Sequence, residues 1–486
     1  MKRILINQDN NSEQFLYEQL YSDIKKQILE GEMEAEERCP SIRGLAETLG
    51  ISVTTVMQAY NQLLAEGYIF SKPGSGYYVQ GGFDGELIPQ KGHTESDTVE
   101  EERKDEYPYL CDEEVFDFVK WKKCANRVFT EYSKELLYES NIKGELALRK
   151  EIAEYLRRSR GVHTKPENIV ISAGTQQIAF HLGRILKRDH VNIVAVEKPG
   201  YAPVKSMFQD AGFQVVEIPV RKTGIDIGML PANLKTGVYV NPSNQFPTGV
   251  VMPANKRYEI LDWAKENHCY IIEDDYNSEL RYVGQPLPPI KSLDVYDRVI
   301  YLGSFSSTLF SAIKISYMVL TDELTRRFDA MEKTYTQTCS KAEQLTLASF
   351  MKEGYYYTTI KKKRTLYTKK LQLAIAAFGK YGGDRITLIN KQSGLTLTVN
   401  VRLGESEKKG YGQSISEKRN VKKEIGENRD TCAVQELLSN MQKLGIRTYY
   451  LDNMSGENNV MLSLYYSEIP IQMMEAKIKE LCDIFG

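Results

Sequence analysis

The sequence predicts an α/β protein with two folded parts. A small N-terminal domain of short helices and a β-hairpin precedes a large domain, in which a mainly parallel sheet is followed by a smaller C-terminal α+β lobe. The chain has 486 residues, too many for one ordinary core. Short helical patterns fill residues 12–80, and between residues 169 and 302 apolar strand-like runs alternate with helical ones. Residues 81–106 are dominated by Gly, Glu, Asp, Lys and Thr, which predicts a flexible linker.

The N-terminal domain, residues 10–80, is predicted to contain three helices and a hairpin. Two short helices are expected at about 40–50 and 53–66, and two strands within 68–79 flank a Pro-Gly-Ser-Gly tip. An earlier amphipathic helix is indicated by apolar residues that recur every four positions: Leu16, Leu20, Ile24 and Ile28.

The large domain is predicted to hold a mainly parallel sheet covered by helices, because helical patterns lie between several of its apolar runs. Strands are expected at residues 169–172, 191–196, 213–218, 238–240, 270–273 and 299–302. In the smaller lobe, the two-residue alternation from Leu395 to Val401 predicts a half-buried strand. Residues 404–431 are highly charged and almost without apolar side chains, so we expect a disordered surface insertion there.

Charge and composition narrow the functional classes. The 63 basic and 65 acidic side chains nearly cancel, so any nucleic-acid binding must come from a local surface. The seven cysteines are scattered without C-x-x-C spacing, which argues against a metal site or a disulfide framework and favours a reducing cytoplasm. The first residues turn polar after three apolar ones, too few for a signal peptide, and no run of about 18 apolar residues predicts a membrane span.

Two short helices joined by a tight turn and followed by a hairpin have the spacing of a winged helix-turn-helix. In such a domain the second helix enters the DNA major groove, and the hairpin reaches the flanking backbone. The predicted second helix begins with short polar groups suited to phosphate and base-edge contacts: Ser52, Thr54, Thr55 and Gln58.

The motifs of this domain resemble those of the GntR-type winged helix. The chain carries P-S-x-R-x-L-A from Pro40, T-V-x-x-A-Y-x-x-L-x-x-E-G-Y from Thr55 and P-G-S-G from Pro73. The resemblance implies double-stranded DNA as a partner. It predicts the following DNA-contacting residues: Ser41, Arg43, Ser52, Thr54, Thr55, Gln58, Lys72, Gly74 and Ser75.

Two features of the domain argue against strong DNA binding. The family often has an arginine just after the serine that starts the recognition helix, and this chain has Val53 there. Residues 10–80 contain five basic and ten acidic side chains. We therefore expect one domain to bind DNA weakly, and tight DNA binding to require two domains in a dimer. The alternatives are a winged helix used only for protein contacts, and a structural salt bridge as the role of Arg43.

Residues 107–486 resemble the PLP-dependent fold-type I aminotransferases. Four ordered motifs carry the resemblance: G-T-Q-Q from Gly174, N-P-S-N-Q-F-P-T-G from Asn241, E-D-D-Y from Glu273 and G-S-F-S-S-T from Gly303. Together with the winged helix, the chain resembles the MocR/GabR class of transcription regulators. The resemblance implies a homodimer, and the linker is long enough for the winged helices to be exchanged between subunits.

The resemblance also implies a pocket for pyridoxal phosphate (PLP). Asp274, at the end of a strand, would pair with the protonated pyridine nitrogen, and Tyr276 would donate to the phenolic oxygen. Asn244 or Gln245 is expected nearby. Residues expected around the phosphate, at a helix N-terminus and in a serine-rich turn, are Gly174, Thr175, Gln176, Ser304 and Ser306. Taken singly, each could instead be a loop residue that caps a helix.

The decisive position is Ser307, where the family has the lysine that forms the Schiff base with PLP. Serine cannot form it, so no catalytic residue is predicted. Lys314 falls where the family has a phosphate-contacting arginine, and it keeps the charge without the bidentate fork. The arginine that clamps a substrate carboxylate has no counterpart in residues 459–465. Because several positions change together, natural divergence accounts for Ser307 better than one engineered replacement.

Three functions remain open at this stage. The first is a regulator whose pocket holds PLP, or PLP with an amino acid, without a covalent bond. The second is a regulator whose pocket has lost PLP and senses another small molecule or serves only dimerisation. The third is an aminotransferase with an accessory DNA-binding domain, against which the absent lysine argues strongly.

Overall fold

The computed structural model describes residues 15–81, 115–282, 284, 287–331, 334–389, 391–402, 439–441, 443–451 and 459–485. The chain divides into two compact units, residues 1–104 and 105–486. Residues 82–106 of the predicted linker and all of the predicted insertion at 404–431 lie outside the described residues. The domain limits drawn from the sequence therefore stay predictions.

Within residues 15–81, the described part of the N-terminal unit, there are three helices and a two-stranded antiparallel sheet, as predicted. A common core holds α1, α2 and α3 together through buried side chains such as Leu20, Ile24 and Tyr60. Ser52 caps α3, since its side chain accepts a hydrogen bond from the backbone N–H of Thr55. The elements are α1 (Leu16–Leu29), α2 (Ile42–Leu49), α3 (Val53–Ala65), β1 (Ile69–Lys72) and β2 (Gly76–Val79).

A mixed sheet forms the centre of the large unit. Its strands within the described residues run in the order β3-β10-β9-β8-β7-β4-β5-β6. The neighbours from β9 through β5 are parallel, whereas β10 is antiparallel to both β3 and β9. The strands are β3 (Ile169–Ala173), β4 (Ile193–Lys198), β5 (Gln214–Arg221), β6 (Gly224–Ile225), β7 (Thr236–Val240), β8 (Tyr270–Asp274), β9 (Val299–Ser304) and β10 (Ile315–Val319).

Helices bury both faces of this sheet. Alternate residues of β3 show this, because Ile169 and Ile171 join one apolar cluster and Val170 joins another. The mainly parallel α/β prediction is thus confirmed, with β10 and the two-residue β6 as unpredicted antiparallel strands. The helices are α4 (Phe118–Glu131), α5 (Leu146–Arg160), α6 (Gly174–Arg188), α7 (Ala202–Asp210), α8 (Ala254–Glu266), α9 (Ile290–Leu293), α10 (Asp322–Asp329), α11 (Lys341–Lys352), α12 (Tyr355–Tyr381) and α13 (Met474–Ile484).

The smaller lobe packs α12 and α13 against an antiparallel sheet in the order β11-β12-β14-β13. Leu397, Val399 and Val401 are buried as predicted, but Thr398 between them is buried as well. The reason is that the Thr398 hydroxyl donates to the carbonyl of Thr248 at 2.7 Å. The strands are β11 (Ile386–Leu388), β12 (Leu397–Arg402), β13 (Thr448–Tyr450) and β14 (Asn459–Leu464).

Candidate functional site

A cavity of about 630 Å³ opens in the large unit at the carboxyl ends of its parallel strands. This edge is where open α/β sheets bind ligands. The main-sheet residues that line the cavity meet small-lobe residues from the β13–β14 region. The sequence-predicted residues that line it are Gly174, Thr175, Gln176, Asp274, Tyr276, Ser304, Ser306, Ser307 and Lys314.

One wall is the N-terminus of α6. Strand β3 passes directly into this helix at Gly174, whose φ of 82° lies in the left-handed region that favours glycine. The N-cap residue is Ala173, whose side chain cannot accept a hydrogen bond from the first amides of the helix. The first helical residues, Gly174 and Thr175, line the cavity. Such a terminus is suited to an anion.

The end of β8 lines the same cavity with the carboxylate of Asp274. The Tyr239 hydroxyl donates a hydrogen bond to the Asp274 carboxylate. The side-chain amide of Asn241 donates to the backbone carbonyl of Asp274 at 3.1 Å. Burial raises the pKa of Asp274 to about 6, the tyrosine hydrogen bond opposes this, and the neighbouring Asp275 adds to it. At neutral pH a group with this pKa is mainly a carboxylate.

A buried ion pair fixes the segment after Asp274. Arg160 at the end of α5 donates to both carboxylate oxygens of Asp275, at 2.7 and 3.0 Å, and Tyr301 donates to the same group at 2.6 Å. Burial alone would raise the pKa of Asp275, but Arg160 and hydrogen bonds from Ser243 and Tyr301 hold it below its usual range. This anchoring sets the position of Asp274 and Tyr276 on either side.

The serine-rich turn after β9 forms another part of the cavity wall. Ser316 donates to the Ser304 hydroxyl at 2.9 Å, and the Ser306 amide donates to the same oxygen at 3.3 Å. From α12, the buried Lys363 amine donates to the carbonyls of Ser307 and Leu309, at 3.0 and 2.7 Å. The turn is thus held from both sides.

An arginine that sequence reasoning missed also lines the cavity. Arg447 lies just before β13, forms an ion pair with Glu468, and places its guanidinium 4.0 Å from the centre of the Tyr465 ring. The Tyr465 amide donates to the Arg447 carbonyl at 2.9 Å. Only the pairing of β13 with β14 brings this arginine to the cavity, so no local motif marks it. Its one sequence signal is a cation amid tyrosines, Tyr449 among them.

Asn244 is not among the residues that line the cavity. It is buried against Gly394, where a Cβ would come within 2.6 Å of the Asn244 Oδ1. Asn241, at the start of the same motif, lines the cavity and contacts Asp274 instead. The part of Asn244 in cofactor binding, like the roles of the other residues, stays a prediction.

The predicted DNA-contacting residues of the N-terminal unit fall on α2, α3 and the hairpin. Ser41 and Ser52 are helix N-caps, accepting from the Gly44 amide at 3.1 Å and the Thr55 amide at 3.0 Å. Arg43 is exposed, and no ion pair joins it to another described residue; its role stays a prediction. Residues whose side chains or backbone are exposed are Thr54, Gln58, Lys72 and Gly74, and Ser75 is half-buried against Tyr78.

The described residues provide neither a metal-binding cluster nor a membrane-spanning helix. No cluster of His, Cys, Asp and Glu side chains there could hold a metal ion. None of the described helices combines the length and the apolar character needed to cross a membrane.

Comparison with known proteins identifies both parts. The family described as Bacterial regulatory proteins, gntR family matches residues 16–79, and Aminotransferase class I and II matches residues 106–418. The HTH-type transcriptional regulator YdeL of Bacillus subtilis is 38% identical, over 81% of this chain and 85% of its own. The probable rhizopine catabolism regulatory protein MocR of Rhizobium meliloti is 31% identical, over 80% of this chain and 83% of its own.

Among solved structures, the kynurenine aminotransferase of Pyrococcus horikoshii has a TM-score of 0.62 at 22% identity, covering 78% of this chain and 89% of its own. At this identity the likeness concerns the fold alone. The chain therefore belongs to the MocR-type transcription regulators, in which a GntR-type DNA-binding domain is joined to a class I and II aminotransferase domain.

Proposed function

We propose that this DNA-binding transcription regulator uses its aminotransferase-like domain to bind PLP without a covalent bond, and that the domain does not catalyse transamination. The observation that carries the proposal is Ser307 in the cavity wall, within the turn that follows β9. A serine hydroxyl cannot form the imine that a lysine amine forms with an aldehyde. The protein would then read a ligand state in one domain and contact DNA with the other.

The cavity residues fit PLP. The uncapped N-terminus of α6 supplies amide donors for a phosphate, with Ser304, Ser306 and Lys314 on the same cavity lining. Asp274, ionised at neutral pH, suits a protonated pyridine nitrogen, and Tyr276 supplies a hydroxyl. When bound, PLP supplies an electron-withdrawing ring and a reactive aldehyde.

Lys363 does not replace the absent lysine in this proposal. Its amine is buried and donates to the Ser307 and Leu309 carbonyls, so its hydrogen bonds stabilise the turn. Forming an imine would require the amine to lose its proton and to leave two buried carbonyls without their donor, which is unfavourable.

The test compares wild type with Ser307→Lys and, as a control, Ser311→Lys, which changes another serine on the cavity lining. Each protein is incubated with PLP, reduced with borohydride, denatured and weighed by mass spectrometry. We expect wild type to bind PLP in equilibrium dialysis yet show no added mass, Ser307→Lys to gain the mass of one reduced PLP, and Ser311→Lys to gain none. Reducible PLP on the wild-type chain would contradict the proposal, and so would the absence of PLP binding.

A second proposal concerns the effector. Arg447 places a cation in the same cavity as Asp274, and its partner Glu468 places an anion beside it. An amino acid carries both complementary charges, so we propose that the effector is an amino acid held at this pair. Isothermal titration of the PLP-loaded protein with the common amino acids should detect one binder, and Arg447→Gln should abolish its binding while leaving PLP affinity unchanged. Equal amino-acid affinity in both proteins would overturn the assignment.

A homodimer with exchanged winged helices is also part of the proposal. Apolar side chains of α4 and the segment after it are exposed although they belong to the large unit. They are Phe118, Val119, Phe129, Leu137 and Tyr138. Phe118 lines the cavity as well, so a second subunit that covers this surface would lie next to the ligand. We retain 10–80, 81–106 and 107–486 as the proposed limits of DNA-binding domain, linker and aminotransferase-like domain.

A further inference from the structure

The outer face of α3 carries apolar side chains that the fold does not bury. Val53 is 48% exposed and Met57 is 43% exposed. The two are four positions apart in the first two turns, so they lie on one face of the helix. The neighbouring face of the helix is already packed, because Val56, Ala59 and Tyr60 belong to the core of the N-terminal unit.

The same helix has no charged side chain between Val53 and Ala65. Arg and Lys are the usual readers of guanine in the major groove, and Asp and Glu accept from cytosine. The helix therefore has no charged side chain that could hydrogen-bond to the guanine or to the cytosine of a G·C pair. Its exposed polar group next to Met57 is Gln58, an amide of the kind that pairs with adenine.

The major groove offers one apolar group on a base edge, the C5-methyl of thymine. We propose that Val53 and Met57 recognise thymine methyl groups and that Gln58 pairs with adenine, so that α3 reads A·T pairs in each half-site. Burying both side chains against methyl groups would remove from water an apolar surface that the free protein leaves exposed. The assignment rests on the proposed DNA contacts of α3.

The experiment uses the full-length protein and uracil, which differs from thymine only by the missing methyl group. Duplexes are first enriched from a random library at low salt. The enriched duplex is then resynthesised with deoxyuridine in place of each half-site thymidine in turn, and the dissociation constants are measured. We expect uracil to weaken wild-type binding about fourfold at each contacted position, the effect of burying one methyl group.

Variants assign each methyl to a side chain. For each of Val53→Ala and Met57→Ala, we expect one thymine position at which replacement by uracil no longer changes the dissociation constant. Leu64→Ala is the matched control, because Leu64 is 38% exposed at the other end of the same helix, and it should keep the full difference. Val53→Arg should enrich guanine where wild type enriches thymine. Circular dichroism checks that the variants remain folded.

Two results would overturn the inference, and they are distinguishable. If a duplex is enriched but Val53→Ala and Met57→Ala keep the wild-type preference for thymine over uracil, α3 contacts DNA without reading methyl groups. If no duplex is enriched at low salt, the DNA contacts themselves are wrong, and the exposed face belongs to a protein partner.

Discussion

At the scale of single residues, two buried acids near Asn241, Glu197 and Asp274, differ in pKa. Glu197, the next-to-last residue of β4, is buried and accepts a hydrogen bond from the Asn241 backbone amide at 3.0 Å. Burial raises the pKa of Glu197 to about 8, although this hydrogen bond and one from Gln245 oppose the shift. Burial thus favours the protonated form of Glu197 at neutral pH more than that of Asp274, whose pKa is raised only to about 6.

We predict that Glu197→Gln removes a pH dependence of stability. Between its ordinary pKa of 4.5 and the raised value, the folded protein keeps a proton that the unfolded chain releases, so wild-type stability falls as pH rises through this window. The variant should match wild type near pH 5 and exceed it by on the order of 2 kcal/mol near pH 8. Urea unfolding followed by tryptophan fluorescence measures this, because both tryptophans, Trp121 and Trp263, lie in the large unit.

The control for this pH effect is Glu259→Gln, which removes an exposed carboxylate of α8 that pairs with Lys256. Its unfolding curves should follow wild type at both pH values. A Glu197→Gln variant whose difference from wild type does not change with pH would show that Glu197 ionises normally in the folded protein.

Residues whose role follows from a local motif could be predicted, and those that depend on strand order could not. Asp274 and Tyr276 stand in a contiguous motif at the end of a strand, and both line the cavity. Glu197 in β4 accepts a hydrogen bond from Asn241, which follows the neighbouring strand β7, and only the strand order brings the two together. Arg447 reaches the cavity only through the pairing of β13 with β14. Neither the order of the strands in the sheet nor the pairing of β13 with β14 can be read from the spacing of residues in the sequence.

At the scale of elements, α12 links the two sides of the cavity. Its residues Lys363 and Lys370 are seven positions apart, hence on one face, and both are buried. Lys363 donates to carbonyls of the serine-rich turn, and Lys370 donates to the Ser467 carbonyl in the smaller lobe at 2.7 Å. Ser467 lines the cavity too, so one helix holds segments of both walls.

We expect Lys363→Met to destabilise the large unit by about 1–3 kcal/mol, because two buried carbonyls lose a charged donor. PLP binding should weaken as well, since the turn that carries Ser306 and Ser307 loses its support from α12. Urea unfolding and equilibrium dialysis measure the two effects. Lys362→Met is the control, because Lys362 is the exposed neighbour on the same helix, and it should change neither quantity. Unaltered stability of Lys363→Met would mean that its hydrogen bonds contribute nothing net.

Elements with strong local signals were predictable. The six expected strands overlap β3, β4, β5, β7, β8 and β9, and the capping serines mark the starts of α2 and α3. Strand β10 was missed because it is antiparallel and follows a turn ending at Lys314, whose φ of 46° shows a sharp reversal of the chain. The burial of Thr398 was missed because its partner, the Thr248 carbonyl, is distant in sequence.

At the scale of the whole molecule, the charge of the winged helix leads us to expect that a single one binds DNA weakly. Two of its five basic side chains are engaged within the domain, Lys25 with Glu66 and Lys26 with Glu30. The remaining three are Arg38, Arg43 and Lys72. Three neutralised phosphates give a salt slope of about −3 per domain, so a dimer that engages both winged helices should show about twice that.

Val119→Glu tests the link between dimerisation and DNA binding. Val119 is 81% exposed on α4, and a charge there should oppose burial of this surface by a second subunit. We expect analytical ultracentrifugation to give a dimer for wild type and a monomer for the variant. On the duplex enriched at low salt, the variant should bind at least about a hundredfold more weakly, because the second winged helix no longer binds at high effective concentration, and its salt slope should be halved. Val295→Glu, an equally exposed valine in the loop after α9, should leave both properties unchanged. A monomeric variant with wild-type affinity and slope would mean that a single winged helix suffices, whereas a dimeric variant would place the subunit contact elsewhere on the large unit.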